Sequence, residues 1–160
     1  MGIRRTLALI GLVANAAGAQ GIAVGHHAPS AAVTTLDGKA TDIKEFLGRT
    51  PTVIEFWARW CGNCRELAPA LHAAAEKYRG RVTFVTVAVA VDETPADVAT
   101  FVREHDIAGT VLFDGTGAAV DAYDVPGTSY LLVADRHGNI VYTGGGGAQD
   151  VDAAVRKALE

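Results

Sequence analysis

The sequence changes its period at one point, and two cysteines three positions apart, Cys61 and Cys64, stand on it. Before them Val53-Ile54-Glu55-Phe56-Trp57 is a short, β-rich apolar run behind Pro51, the pattern of a buried strand. After them Leu67, Leu71, Ala74 and Tyr78 recur at helical spacing and Gly80 supplies a stop. A helix is expected from Gly62 to Tyr78, kinked by Pro69. The thiols then lie at its N-terminus, where unsatisfied N–H groups and a partial positive charge favour a thiolate at Cys61 and lower its pKa below the free value of about 8.5. Cys61 is thus the expected nucleophile. Cys64 shares its helix face and can attack a mixed disulfide formed there, which makes it the resolving thiol. A purely structural bridge is the weaker reading, because closing so short a loop stabilises a fold by only roughly 2 kcal/mol.

The rest of the chain surrounds this junction with alternating elements. Val33 to Leu36, the Asp37-Gly38 turn and Asp42 to Leu47 read as a short strand, a turn and a helical turn, with Asp42 and Glu45 as a capping signature. The apolar run Val82 to Val89 suits a central strand covered on both faces. Thr94, Pro95 and Asp97 mark the start of a second helix with Val98, Phe101, Val102 and His105 on one face. Thr110 to Phe113, Tyr130 to Ala134 and Ile140 to Thr143 read as strands, the last two a hairpin through Asp135 to Asn139. The glycines Gly144 to Gly147 read as a flexible connection to a terminal helix bearing Val151, Val155 and Leu159. Strands alternating with helices, closed by a hairpin, predict an α/β fold: a mixed sheet with helices on both faces.

With 160 residues, 49% of them hydrophobic and 20% charged, the chain fits one domain with one sizeable core. Its first nineteen residues differ from the rest. Arg4 and Arg5, the apolar run from Thr6 to Ala14 and Ala17-Gly18-Ala19 before Gln20 have the layout of a secretory signal, either cleaved after Ala19 or kept as an anchor. Residues 20–30 read as a tail and 31–160 as the domain. Without Arg4 and Arg5, twelve Lys and Arg face eighteen Asp and Glu, a formal charge of −6. An acidic chain with no basic cluster lacks the electrostatic footprint for nucleic acid.

Glu55 is the odd residue of its strand. Either it is buried, with a raised pKa that lets it accept the proton of Cys64 through a water, or it is exposed or salt-bridged; composition leaves both open. Trp57 and Trp60 bracket the loop, and we read Trp60 as an apolar lip for a partner and Trp57 as core.

These residues resemble the thioredoxin superfamily, and the chain beyond the signal is most similar to its exported TlpA/ResA-type branch. An acidic residue before Phe56-Trp57-Ala58, then Trp60-Cys61-Gly62-Asn63-Cys64 and Pro69, carry the likeness. Leu36-Asp37-Gly38-Lys39, a strand-helix insertion over Val91 to His105 and the run from Tyr123 to Gly138 carry the branch. The resemblance implies a thioredoxin-like fold with an N-terminal extension, and catalysis by Cys61, Cys64 and Glu55. It also implies substrate contacts at Trp60, Gly62, Asn63, Thr128 and Ser129, with no cofactor beyond the redox-active disulfide. The partners implied are thiols or disulfides of exported, periplasmic proteins and a membrane electron donor, in a reducing role such as cytochrome c maturation.

Two departures stand out. Leu67 occupies a place where the branch often has glutamate, which leaves Glu55 as the acid. Where the family has a cis-proline, either the loop is re-registered so that Pro126 serves, or Ser129 stands there; counting back from Asp135 favours Ser129. A trans Thr128–Ser129 bond is then expected, with an N–H facing the sulfurs. A more open sulfur pair leaves a rival reading, a copper or iron–sulfur carrier using Cys61, Cys64 and a histidine such as His26 or His27.

Overall fold

A computed structural model of the protein describes residues 21–160, so the signal-like segment 1–19 and Gln20 lie outside the described residues. Seven strands form one mixed sheet in the order β2-β1-β5-β4-β3-β6-β7. Strands β3 (Thr52–Trp57), β4 (Thr83–Val89) and β5 (Thr110–Asp114) run parallel. Strand β6 (Tyr130–Ala134) joins β3 antiparallel, and β7 (Ile140–Gly145) continues the hairpin. On the other edge β1 (Ala32–Thr35) pairs antiparallel with β5, and β2 (Ala40–Asp42) pairs with β1.

All six residues of β3 are buried, as a central strand with apolar matter on both faces requires. Ile54 and Phe56 join the cluster that holds Tyr123, Tyr130, Leu132 and both cysteines, while Val53 joins Leu67, Leu71, Leu131, Val133 and Val155. Each such side chain contributes roughly 1.5–3 kcal/mol by leaving water. Along β3 the alternation sends Val53 to one face and Ile54 to the other, and the first cluster also wraps the strand ends, taking in both Phe56 and Trp57. Helices α1 (Gly62–Lys77) and α4 (Val151–Leu159) supply the second. Val98 of α2 (Pro95–Glu104) and Ala119 of α3 (Ala118–Ala122) belong to the first.

Local chemistry sets the boundaries. Thr94 caps α2 by accepting the Asp97 N–H at 3.2 Å, and Asp97 accepts the Thr94 N–H at 3.0 Å, the reciprocal box expected from the sequence. Asp150 caps α4 by accepting the Ala153 N–H at 2.8 Å. Gly109 has φ of +81°, and a Cβ there would strike the Phe84 carbonyl, so only glycine turns the chain into β5.

The segment read as a tail is bonded to the domain. Ile22 donates to the Tyr123 carbonyl at 3.1 Å, Gly25 to Ile140 at 2.8 Å and Ala28 to Gly138 at 2.8 Å. The glycine run is likewise no loose connection. Gly144 and Gly145 close β7, Gly146 donates to the Ser129 carbonyl at 3.2 Å, and a Cβ on Gly147 would run into Glu66 of α1. Glycine is needed there for close approach.

Candidate active site

Strand β3 ends at Trp57, and a tight loop carries the chain into α1. Cys61 is the N-cap, in extended conformation, and its Sγ accepts the Cys64 N–H at 3.0 Å. The cysteines are joined as a disulfide and are 4% and 7% exposed. Helix geometry thus aims an orphan N–H at the sulfur of Cys61, where it stabilises negative charge once the bridge is opened. Gly62 and Asn63, between them, are exposed.

Trp60 is 54% exposed and its indole donates to the Val91 carbonyl at 3.2 Å, so Trp60, the residue before Cys61, is tied to a second exposed apolar residue, the 52%-exposed Val91. Trp57 is buried against Phe101, with ring centroids 5.7 Å apart.

Glu55 is 5% exposed. Among the described residues its Oε1 meets no hydrogen-bond partner, nor do two other sealed atoms, Trp57 Nε1 and the Oγ1 of Thr86, which stands opposite Glu55 in the β3–β4 register. Burial alone pushes the Glu55 carboxyl from 4.5 up to about 8. Glu55 and Cys64 line one cavity of about 460 Å³, walled by Trp57, Pro69, Phe101 and Ile107 and edged by His72 and His105. Carboxyl and resolving cysteine therefore share a space that can carry a proton through water.

Pro126 is exposed in its loop, and no cis peptide bond occurs among the described residues. Ser129, fully buried and with φ of +62°, directly precedes β6. One expectation is corrected. The Ser129 N–H does not face the sulfurs: it donates to the Phe56 carbonyl at 2.8 Å, while Ser129 Oγ donates to Gly146 at 3.0 Å. The backbone pairing of β6 with β3 captures that donor. Thr128, half-buried, stands beside it at the end of β3 from which the cysteine loop springs.

No group of three His, Cys, Asp or Glu side chains among the described residues is arranged to hold a metal ion. His27, one of the two histidines of the rival carrier reading, turns both ring nitrogens to backbone carbonyls, of Ala28 at 3.1 Å and His137 at 3.0 Å.

Sequence reasoning missed Glu93. Its side chain is 0% exposed, and Oε1 accepts the Arg59 N–H at 2.9 Å with Arg59 Nε at 3.3 Å. Nothing in the run Asp92-Glu93-Thr94-Pro95 separates this carboxylate from a solvated loop residue.

Residues 23–159 match the model of the family described as Redoxin. The chain belongs to the redoxin family. This redoxin is 29% identical over 118 residues to the thiol-disulfide oxidoreductase ResA of Bacillus thuringiensis subsp. konkukian (strain 97-27), covering 74% of this chain and 67% of that protein. It is similar to the thiol:disulfide interchange protein of Chlorobium tepidum TLS, with TM-score 0.69, 26% identity and coverage of 87% and 99%. A secreted Mycobacterium tuberculosis disulfide oxidoreductase, homologous to E. coli DsbE, gives TM-score 0.66 and 26% identity over 81% of this chain and 95% of that one. The redoxin is a thioredoxin-fold thiol–disulfide oxidoreductase of the ResA/DsbE type, with Cys61 and Cys64 as its disulfide pair.

Proposed function

We propose that this redoxin reduces disulfides of exported proteins, with Cys61 as nucleophile, Cys64 as resolving thiol and Glu55 as the group that moves the proton. The observation that carries the reading is the pair's position: Cys61 Sγ on the helix N-cap, Cys64 in the cavity that Glu55 lines.

The Cys61 thiolate attacks one sulfur of a substrate disulfide, forming a mixed disulfide and releasing the other sulfur as a thiolate. The Cys64 thiol gives its proton to the Glu55 carboxylate and attacks Cys61 Sγ; the bond to the substrate breaks, the substrate leaves with its two sulfurs as thiolates that take protons from solvent, and the enzyme is left oxidised with the Cys64 proton on Glu55. In the reverse half-cycle an external donor reopens the bridge. Glu55, mostly a carboxylic acid below about pH 8, then returns the proton to Cys64.

Trp60 and Val91 form the apolar lip on which a protein partner rests, with Gly62, Asn63 and Thr128 completing the contact; Ser129, fully buried and bonded to Phe56 and Gly146, supports that surface from beneath and does not touch the partner. The sulfur pair carries the electrons without a resident cofactor. Export is supported by the signal-like layout of residues 1–19 and by the secreted relative; among the described residues no helix is long and apolar enough to cross a membrane. A membrane-held dithiol is the class of donor this direction of flow requires.

The test is a redox titration in glutathione buffers, with Cys64→Ser run against a disulfide-containing peptide. We expect a reversible two-electron couple in the wild type, and in the variant a mixed disulfide through Cys61 that stops turnover. A pair that never titrates reversibly overturns the reading.

A further inference from the structure

The segment ahead of Cys61 is pinned at every residue. Cys61 N–H donates to Ala58 O at 3.1 Å, the Trp60 indole to Val91 O at 3.2 Å, and Arg65 Nη1 to Arg59 O at 3.3 Å. The Arg59 N–H ends on Glu93, whose carboxylate is sealed from water and lies 3.3 Å from Arg59 Nε, an ion pair in which Nε has no hydrogen-bond partner among the described residues. Its second oxygen, Oε2, is also sealed and has no partner among the described residues. Burying a carboxylate costs several kcal/mol unless it is paired, and half of this one is not. A loop that needed only an acceptor for one N–H can use a backbone carbonyl or a neutral side chain. What a carboxylate adds is charge.

We infer that Glu93, clamped to Arg59, is a positioning residue for the redox pair: it fixes the residues leading into Cys61, and its buried negative charge biases the couple toward the disulfide. The oxidised pair is neutral and tolerates that charge. Opening the bridge puts a thiolate at Cys61, two residues beyond the Arg59 N–H, and a like charge in a poorly solvated region disfavours it. Arg59 and Arg65 act in the opposite sense, Asp97 faces Arg59 from α2, and Glu55 is neutral while protonated. A couple held toward the disulfide is a stronger reductant when loaded with electrons. This inference rests on the proposed function and gives its direction of flow a cause in this chain's own residues.

The experiment uses the full chain in glutathione buffers with Glu93→Gln, which keeps an acceptor for the Arg59 N–H and removes the charge, and Arg59→Gln, which removes the counter-charge. We expect Glu93→Gln to shift the equilibrium about tenfold toward the dithiol, equivalent to about 30 mV, and to lower the pH at which Cys61 is alkylated. Arg59→Gln should shift both readouts the other way. A Glu93→Gln midpoint within twofold of wild type, or two variants moving in the same direction, overturns the inference, because a purely structural clamp has no sign. If Glu93→Gln alone does not fold, the double variant Arg59→Gln/Glu93→Gln is compared with Arg59→Gln: a shift toward the dithiol supports the charge, and no shift overturns it. A wild type that fails to titrate would instead defeat the oxidoreductase reading itself.

Discussion

Two carboxylates are buried beside one disulfide, and they are kept there by different means. Glu55, at the middle of β3, has no partner for its Oε1 among the described residues, so burial holds it as an acid up to about pH 8. Glu93, in the loop between β4 and α2, accepts one N–H and faces a guanidinium. The first is suited to carry a proton and the second to hold a loop. Partners, rather than residue type, separate a group that titrates during the reaction from one that shapes the field in which it runs.

Removing the ionisable group from the lone carboxyl tests that contrast hardest. Because Glu55 has a folded pKa above its ordinary value of 4.5, its own contribution to stability is full below pH 4.5, is lost as pH rises and levels off above about 8. At about 1.4 kcal/mol per pH unit the loss is at most about 5 kcal/mol. Glu55→Gln should lack this slope, so urea melts of the oxidised proteins at pH 5 and pH 9 should show the variant gaining several kcal/mol on the wild type. Parallel pH curves would mean that Glu55 has found a cation. In stopped-flow reduction of a peptide disulfide, the same variant should slow resolution of the mixed disulfide by about 10²-fold.

The strand end that carries Glu55 can also be disturbed without touching either carboxylate. Ser129, with φ of +62°, gives its N–H to Phe56 across the β3–β6 pair. Proline at this position, which the family pattern invites, has no N–H and fixes φ near −65°. Ser129→Pro is therefore expected to destabilise by about 3 kcal/mol in equilibrium melts. A neutral result would show that the loop re-forms around proline.

The contrast between well- and poorly legible parts has the same physical root. The junction of Val53–Trp57 with the cysteine pair, the Thr94–Asp97 box and the Asp135 hairpin could be read because period, caps and turns are local signals. Strand β2 and helix α3 were missed. Strand β2 is three residues long and depends on β1, and α3 is five residues long, its Ala119 and Val120 N–H groups held by Asp114 at the end of β5. Glu55 was visible as a polar residue inside an apolar run, but its burial depended on the sheet. Glu93 stood in a polar loop and gave no such signal; only the Arg59 contact across the fold reveals it.

The smallest expected effect lies on the outer side of the site, and it sharpens the comparison because it leaves the proton chemistry alone. Trp60 is half-exposed and anchored by one hydrogen bond to Val91, so Trp60→Ala should change the melting free energy by no more than about 1 kcal/mol. A lip matters only to a partner large enough to rest on it. Buried Trp anchors at protein interfaces contribute 2 kcal/mol or more, but an indole on a transient contact is only partly desolvated, so KM for a folded disulfide protein should rise about tenfold with kcat nearly unchanged. Oxidised glutathione, too small to reach across Trp60 and Val91, should be turned over at the wild-type rate. Equal losses for both substrates would place the effect of Trp60 in the geometry of the Cys61 loop, on the same footing as Glu93, and would leave the docking surface to Val91 and Thr128.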